Sequence, residues 1–208
     1  MIEDFGARVT SIWEGLRLTT RRLVERALQS TSNTSTLPQP ARPGATPYDA
    51  RADWEVGRLL AALDERAAEP NAALNDEQTR ELRRMAETCA AVLQSGTQSA
   101  EIFAQLVLRA FHANDYARVD TLANALTARF APSEICELAR HPHALVRALA
   151  QEALAQVTTD ALLDLLADPL DAEMARTALE LQATEYNSED ARRILYALEL
   201  GDELDDEA

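Results

Sequence analysis

The sequence predicts an all-α protein, and three observations carry that reading. Alanine and leucine dominate, glycine numbers only 6 in 208 residues and aromatics make up 5%, so helix formers fill nearly every long segment. Apolar residues recur at the three- and four-residue spacing of a helix face through most of the chain. No stretch of useful length alternates apolar and polar residues as a half-buried strand does. The chain is also long enough to bury a proper core without disulfide or metal staples.

The first element, residues 1–29, contains "FGARVTSIWEGLRLTTRRLVERAL" and places Phe5, Val9, Ile12, Trp13, Leu16, Leu23, Val24 and Leu28 near helical spacing. This is an amphipathic helix, mildly interrupted by Gly15 and by Thr19-Thr20. Between residues 8 and 28 it carries Arg8, Arg17, Arg21, Arg22 and Arg26 against Glu14 and Glu25, a local charge of +3 in a protein of formal charge -15. Residues 30–47 follow as "STSNTSTLPQPARPGATP", small, polar and proline-rich, with almost nothing to bury; they read as a flexible linker. The N-terminal helix is therefore expected to be separate from a body spanning 48–200.

Within the body, Val56, Leu59, Leu60 and Leu63 share one face, as do Leu82, Met85, Cys89, Val92 and Leu93. Ile102, Phe103, Leu106, Val107 and Ala110 form a third stripe, and Tyr116, Val119, Leu122, Ala123 and Leu126 a fourth. The breaks "EPNAALND", "QSGTQ", "HAND" and "FAPSE" each supply a residue suited to a helix end or start. Connections this short fold neighbouring helices back antiparallel. Five more helices follow in "SEICELAR", "PHALVRALAQEALAQV", "TDALLDLLA", "LDAEMARTALELQAT" and "SEDARRILYALEL", and residues 201–208, "GDELDDEA", form an acidic tail.

Two of these segments repeat. Aligning His141-Pro142 with Asp168-Pro169 superposes Ile135 on Leu162 and Leu138 on Leu165 at an offset of 27 residues, and pairs Arg147 with Arg176. A short helix, a proline turn and a longer helix with arginine near its start resembles the HEAT repeat, over roughly Ser133 to Thr184. The resemblance implies antiparallel helical hairpins stacked as a short α-solenoid, with the second helices lining a concave, protein-binding surface. It also implies that Asp168 with Arg176, and Arg147 in the first unit, secure the turns. The first unit departs from the family pattern, having His141 and His143 where an acid is expected. "FHANDYARVDTLANAL" bears a fainter likeness to the tetratricopeptide repeat.

Charge restricts the partner. Beyond residue 50 the chain holds 14 arginines against 30 acids, and so acidic a surface repels phosphate backbones; nucleic acid is not an expected partner. Cys89 and Cys136 lie on or beside apolar stripes and read as reduced, buried thiols, which suits a cytoplasmic protein. Neither a signal-peptide core nor a run of eighteen uncharged apolar residues is present, so neither secretion nor a membrane span is expected.

Catalytic signatures are weak. Cys136, His141 and His143, with Glu134 and Glu137 nearby, offer zinc-ligand chemistry, but C-x4-H-P-H is not a zinc spacing and the residues read as turn structure. His112 suits the end of a helix, where an imidazolium complements the dipole. Glu101, Asp164, Glu173 and Glu180 read as solvated helix faces. No phosphate loop, HExxH, GxSxG or CxxC occurs, and neither a cofactor nor an enzymatic activity is expected.

The expected function is that of a protein-binding adaptor or assembly subunit. Phe5, Ile12, Trp13 and Leu16 are the candidate apolar anchors, and Arg17, Arg21, Arg22 and Arg26 the candidate ionic contacts. The partner would be basic, toward the acidic body, or would hold the helix in a hydrophobic groove. Packing of the helix back on the body and peripheral membrane contact are the competing roles for the N-terminal element. A metal-dependent all-α enzyme is the remaining alternative.

Overall fold

The computed structural model describes residues 2–32, 48–69 and 74–206. Most of the expected linker, residues 33–47, therefore lies outside the described residues. Those described form a 3-10 turn and twelve α-helices with no strand. They fall into two compact units that divide after Leu106, rather than at the linker.

Unit 1 opens with the 3-10 turn Ile2–Phe5, followed by α1 (Ala7–Gly15), α2 (Leu18–Ser32), α3 (Ala50–Ala68), α4 (Asp76–Gly96) and the start of α5 (Ala100–His112). The expected single N-terminal helix is thus two helices, and the break falls at Leu16-Arg17, while Thr19 and Thr20 sit inside α2. Leu16 is extended (φ -67°, ψ 146°). The groups freed by the break find side-chain partners: Arg17 N–H donates to the Glu55 carboxylate at 3.3 Å, and the Arg21 guanidinium donates to the carbonyls of Leu16 and Glu14. A chain break is stable when its backbone groups are paired in this way.

The N-terminal helices are part of the core of unit 1. α3 and α4 pack on each other; α1 packs on α3, and α2 packs on both α3 and α4. Phe5, Val9, Leu16, Val24 and Leu28 are buried, as are Val56, Leu59, Leu60 and Leu63 of α3 and Leu82, Met85, Cys89 and Leu93 of α4. Burying one such large side chain is worth about 1.5–3 kcal/mol, so detaching the pair of helices would expose several of the largest contributors to this core. The starts of the long helices are capped as their sequences suggest. Asp49 accepts from Arg51 N–H and Ala52 N–H at 3.1 Å to start α3. Asn75 and Gln78 form a reciprocal capping box at α4, at 2.8 and 2.9 Å.

One close approach in unit 1 depends on glycine. A Cβ built on Gly57 would lie 2.4 Å from Ile102 Cδ1 and 3.2 Å from Gln105 Oε1. Without it, Gln105 donates to the Gly57 carbonyl at 3.1 Å, which locks α5 against α3.

Unit 2 comprises the remainder of α5 with α6 (Tyr116–Ala123), α7 (Leu126–Arg129), α8 (Pro132–Ala139), α9 (Ala144–Ala155), α10 (Thr159–Leu165), α11 (Ala172–Thr184) and α12 (Glu189–Asp206). The fourth stripe of the sequence is split between α6 and α7, because Asn124 and Ala125 turn the chain before Leu126 reaches the core. α8 pairs with α9 and α10 with α11; α8 also touches α10, and α9 touches α11. α12 packs on α11 and continues through Asp206, into the segment expected to be tail.

The turns of the repeated segments are held by side chains. Arg147 Nη1 donates to the carbonyls of His141 and Pro142 at 3.0 and 2.6 Å. Asp168 accepts from Leu170 N–H at 2.9 Å. The tie from one repeat to the next comes from Arg140, which had not been singled out: its Nη1 reaches the Leu170 carbonyl and Asp171, both at 2.8 Å. A second tie is the buried Gln182, which donates to the Ala155 and Val157 carbonyls at 3.1 and 2.7 Å and accepts from Thr159 Oγ1 at 3.2 Å.

Candidate functional site

The face where α1 meets α3 contains a recess of about 140 Å³ lined by Ser11, Ile12, Gly15 and Leu16 from the first helix and its end, and by Arg51, Trp54, Glu55 and Arg58 from α3. Residues 51, 54, 55 and 58 follow helical spacing, so they form one ridge, beside the stripe of Val56, Leu59, Leu60 and Leu63 that fills the core. Small-molecule sites enclose roughly 300–1,000 Å³. This recess is smaller, and its size suits a single side chain.

The floor is organised by a buried carboxylate. Glu55, with its side chain only 5% exposed, accepts from Arg17 Nε at 3.0 Å, Arg51 Nε at 3.2 Å, Arg17 N–H at 3.3 Å and the Thr20 hydroxyl. Arg17 extends to both oxygens of Asp49, at 2.9 and 3.0 Å. Burial pushes the Glu55 carboxyl upward, yet donation from Thr20 and Arg17 outweighs it and holds the group below the usual glutamate range. The Asp49 carboxyl is held low by the Arg17 guanidinium, and the Arg17 guanidinium is raised by the same contact. Glu55 is therefore a structural anion with its negative charge matched inside the protein.

The rim is aromatic and cationic. Trp54 is 48% exposed, and the Arg58 guanidinium lies over its ring at 4.7 Å from the centroid. A cation over an indole face is stabilised electrostatically and its orientation is restricted. Arg51 and Arg58 are both exposed.

Among the residues expected to bind a partner, Ile12 and Leu16 come to this recess, Leu16 as a buried part of its floor and Ile12 half-buried. Phe5 is 1% exposed and belongs to the core; it is no surface anchor, because the 3-10 turn directs it inward. Trp13 is half-buried. Arg17 and Arg21 are engaged within unit 1 by Glu55, Asp49 and the carbonyls of the α1–α2 break. Arg22 and Arg26 are exposed on α2. Trp54, Arg51 and Arg58 were missed. Their signal was present as a tryptophan off the apolar stripe with arginine three residues before and four after it.

The cluster at Cys136 resolves into turn structure. His143 Nδ1 accepts from Leu145 N–H at 3.2 Å and so caps α9, while His141 Nδ1 accepts from His143 N–H at 3.1 Å. The Cys136 thiol is fully buried and pushed up to about 11, first by burial and then by Asp171. Among the described residues no group of three or more His, Cys, Asp and Glu is placed to hold a metal ion, and no helix is long and apolar enough to cross a membrane.

No family model matches the chain, and no curated protein or solved structure matches it significantly.

Proposed function

We propose that this chain is a non-catalytic protein-interaction subunit, an adaptor or assembly component, whose partner-facing surface is the α1–α3 face of unit 1. The observation that carries this reading is Trp54. A large aromatic side chain stands half in solvent at the mouth of a small recess, on a helix whose position is set by the buried Glu55 network. Rigidly mounted tryptophan and arginine are the residue types that dominate binding energy at protein interfaces. The pairing of α8–α9 with α10–α11, each element touching its counterpart in the neighbouring hairpin, supports a HEAT-like helical-repeat character for the second unit.

A membrane-anchoring role for the N-terminal element draws little support, because Phe5, Val9, Leu16, Val24 and Leu28 are already spent on the core of unit 1. For the same reason a chain starting at Tyr48 is a poor probe of binding, since it would uncover α3 and α4. The test is affinity capture with the full chain against Trp54→Ala and Ile12→Asp variants, the bound proteins being identified by mass spectrometry. A partner retained by wild type and lost from both variants is expected. Capture that is unchanged in both would remove the α1–α3 face from the mechanism.

A further inference from the structure

Resting on that reading, we infer that the α1–α3 recess selects an acidic peptide segment of its partner, one in which an aspartate or glutamate lies within two residues of an apolar side chain. Charge complementarity at the recess carries the inference. The carboxylate in the lining, Glu55, is consumed internally by Arg17, Arg51 Nε and Thr20, so it does not offset the rim. Arg51 uses one edge of its guanidinium on Glu55 and keeps its remaining N–H groups at the surface, with its side chain 71% exposed. The Arg58 guanidinium lies over the Trp54 ring on an exposed side chain, and a guanidinium that meets an aromatic face still has an N–H edge to offer a second partner. That edge is the part that grips a carboxylate with two parallel hydrogen bonds.

The surrounding charge makes this local polarity distinctive. Residues 1–106 hold 12 arginines against 15 acids, whereas residues 107–208 hold 8 against 20. Both units are net acidic, so an acidic segment is repelled by the chain as a whole and is held here by the exposed Arg51 and Arg58. The two cations sit beside the apolar wall of Ile12, Leu16 and Trp54. The site therefore asks for two features close together in sequence: an apolar side chain for the recess and a carboxylate for Arg58. A basic or a purely apolar segment would satisfy only one wall and leave the cations unpaired on burial, which costs free energy. Rim cations of this type also speed encounter and make it salt-dependent.

The experiment uses the full chain and dodecapeptides displayed on phage, with the most enriched peptide then synthesised with a fluorescein label and titrated by anisotropy. Enriched sequences are expected to place Asp or Glu within two positions of Leu, Ile, Met or Phe. Arg58→Glu is expected to weaken the labelled peptide by about tenfold or more, and exchanging the peptide's key carboxylate for lysine to restore binding to that variant. Arg58 is exposed, so the variant folds, which far-ultraviolet circular dichroism checks. Enriched peptides that lack acids, or an affinity that Arg58→Glu leaves unchanged, overturn the inference. If such peptides nevertheless fail to bind Trp54→Ala, acid selection is wrong but the binding face stands. If no peptide is enriched and partner capture is indifferent to Trp54→Ala, both are wrong.

Discussion

Glu55→Ala is the perturbation that most directly tests how the α1–α3 face is built. The substitution removes an acceptor of four hydrogen bonds, three of them from Arg17 and Arg51 and one from Thr20. Thr20 is 1% exposed, so its hydroxyl loses a partner that water cannot easily replace. Removing one member of a buried pair costs about 3–5 kcal/mol. Arg17 keeps Asp49 and is 32% exposed, which places the expected loss toward the lower end, at about 3 kcal/mol. With a urea dependence of about 2 kcal/mol/M, the midpoint should fall by about 1.5 M. Both tryptophans, Trp13 and Trp54, belong to unit 1, so their emission follows the unfolding of that unit. A midpoint that moves by less than about 0.5 M would show that the carboxylate is not what holds the N-terminal helices to α3.

Four further outcomes follow from the same contacts. The carboxyls of Glu55 and Asp49 are held below their ordinary values of 4.5 and 3.8; their stabilisation is full above those values and disappears as pH falls through the lower folded-state values. Trp emission of Glu55→Gln should accordingly show a flatter acid-unfolding limb below pH 4.5 than wild type, and an identical limb would contradict the network. Gly57→Val forces a side chain onto Ile102 and Gln105 and should cost about 1–3 kcal/mol, measurable by the same urea titration. Gln182→Leu leaves the Ala155 and Val157 carbonyls without this donor and should cost about 2 kcal/mol, which a urea titration followed by circular dichroism should record. Cys136, buried with its thiol raised to about 11, should react with an aromatic disulfide reagent at pH 8 only after denaturation; prompt reaction of the native protein at both thiols would show that it is accessible.

Most of the helices were legible because their signal is local. Stripes such as Val56-Leu59-Leu60-Leu63 and Leu82-Met85-Cys89-Leu93 occur at helical spacing whatever packs on them, and both are fully buried in the structure. Capping residues such as Asp49 and Asn75 act on their own helix and could be read in place. The turn role of Arg147 was likewise open to sequence reasoning, since its target carbonyls at His141 and Pro142 are six and five residues away.

What composition and periodicity settled by themselves is the helical class of this protein and the approximate place of its elements. The tertiary structure alone decided the standing of the N-terminal segment. Its arginines looked like an outward-facing basic patch, yet Arg17 meets Asp49 and Glu55, 32 and 38 residues away, and Phe5 and Leu16 turn inward. The Arg140 to Asp171 tie and the Gln182 bonds likewise join residues 31 and more than 20 positions apart. The reason is the same in each case. A side chain's periodicity shows which face of its helix it occupies, but a charge or an amide finds its partner only when a second helix brings one to that face.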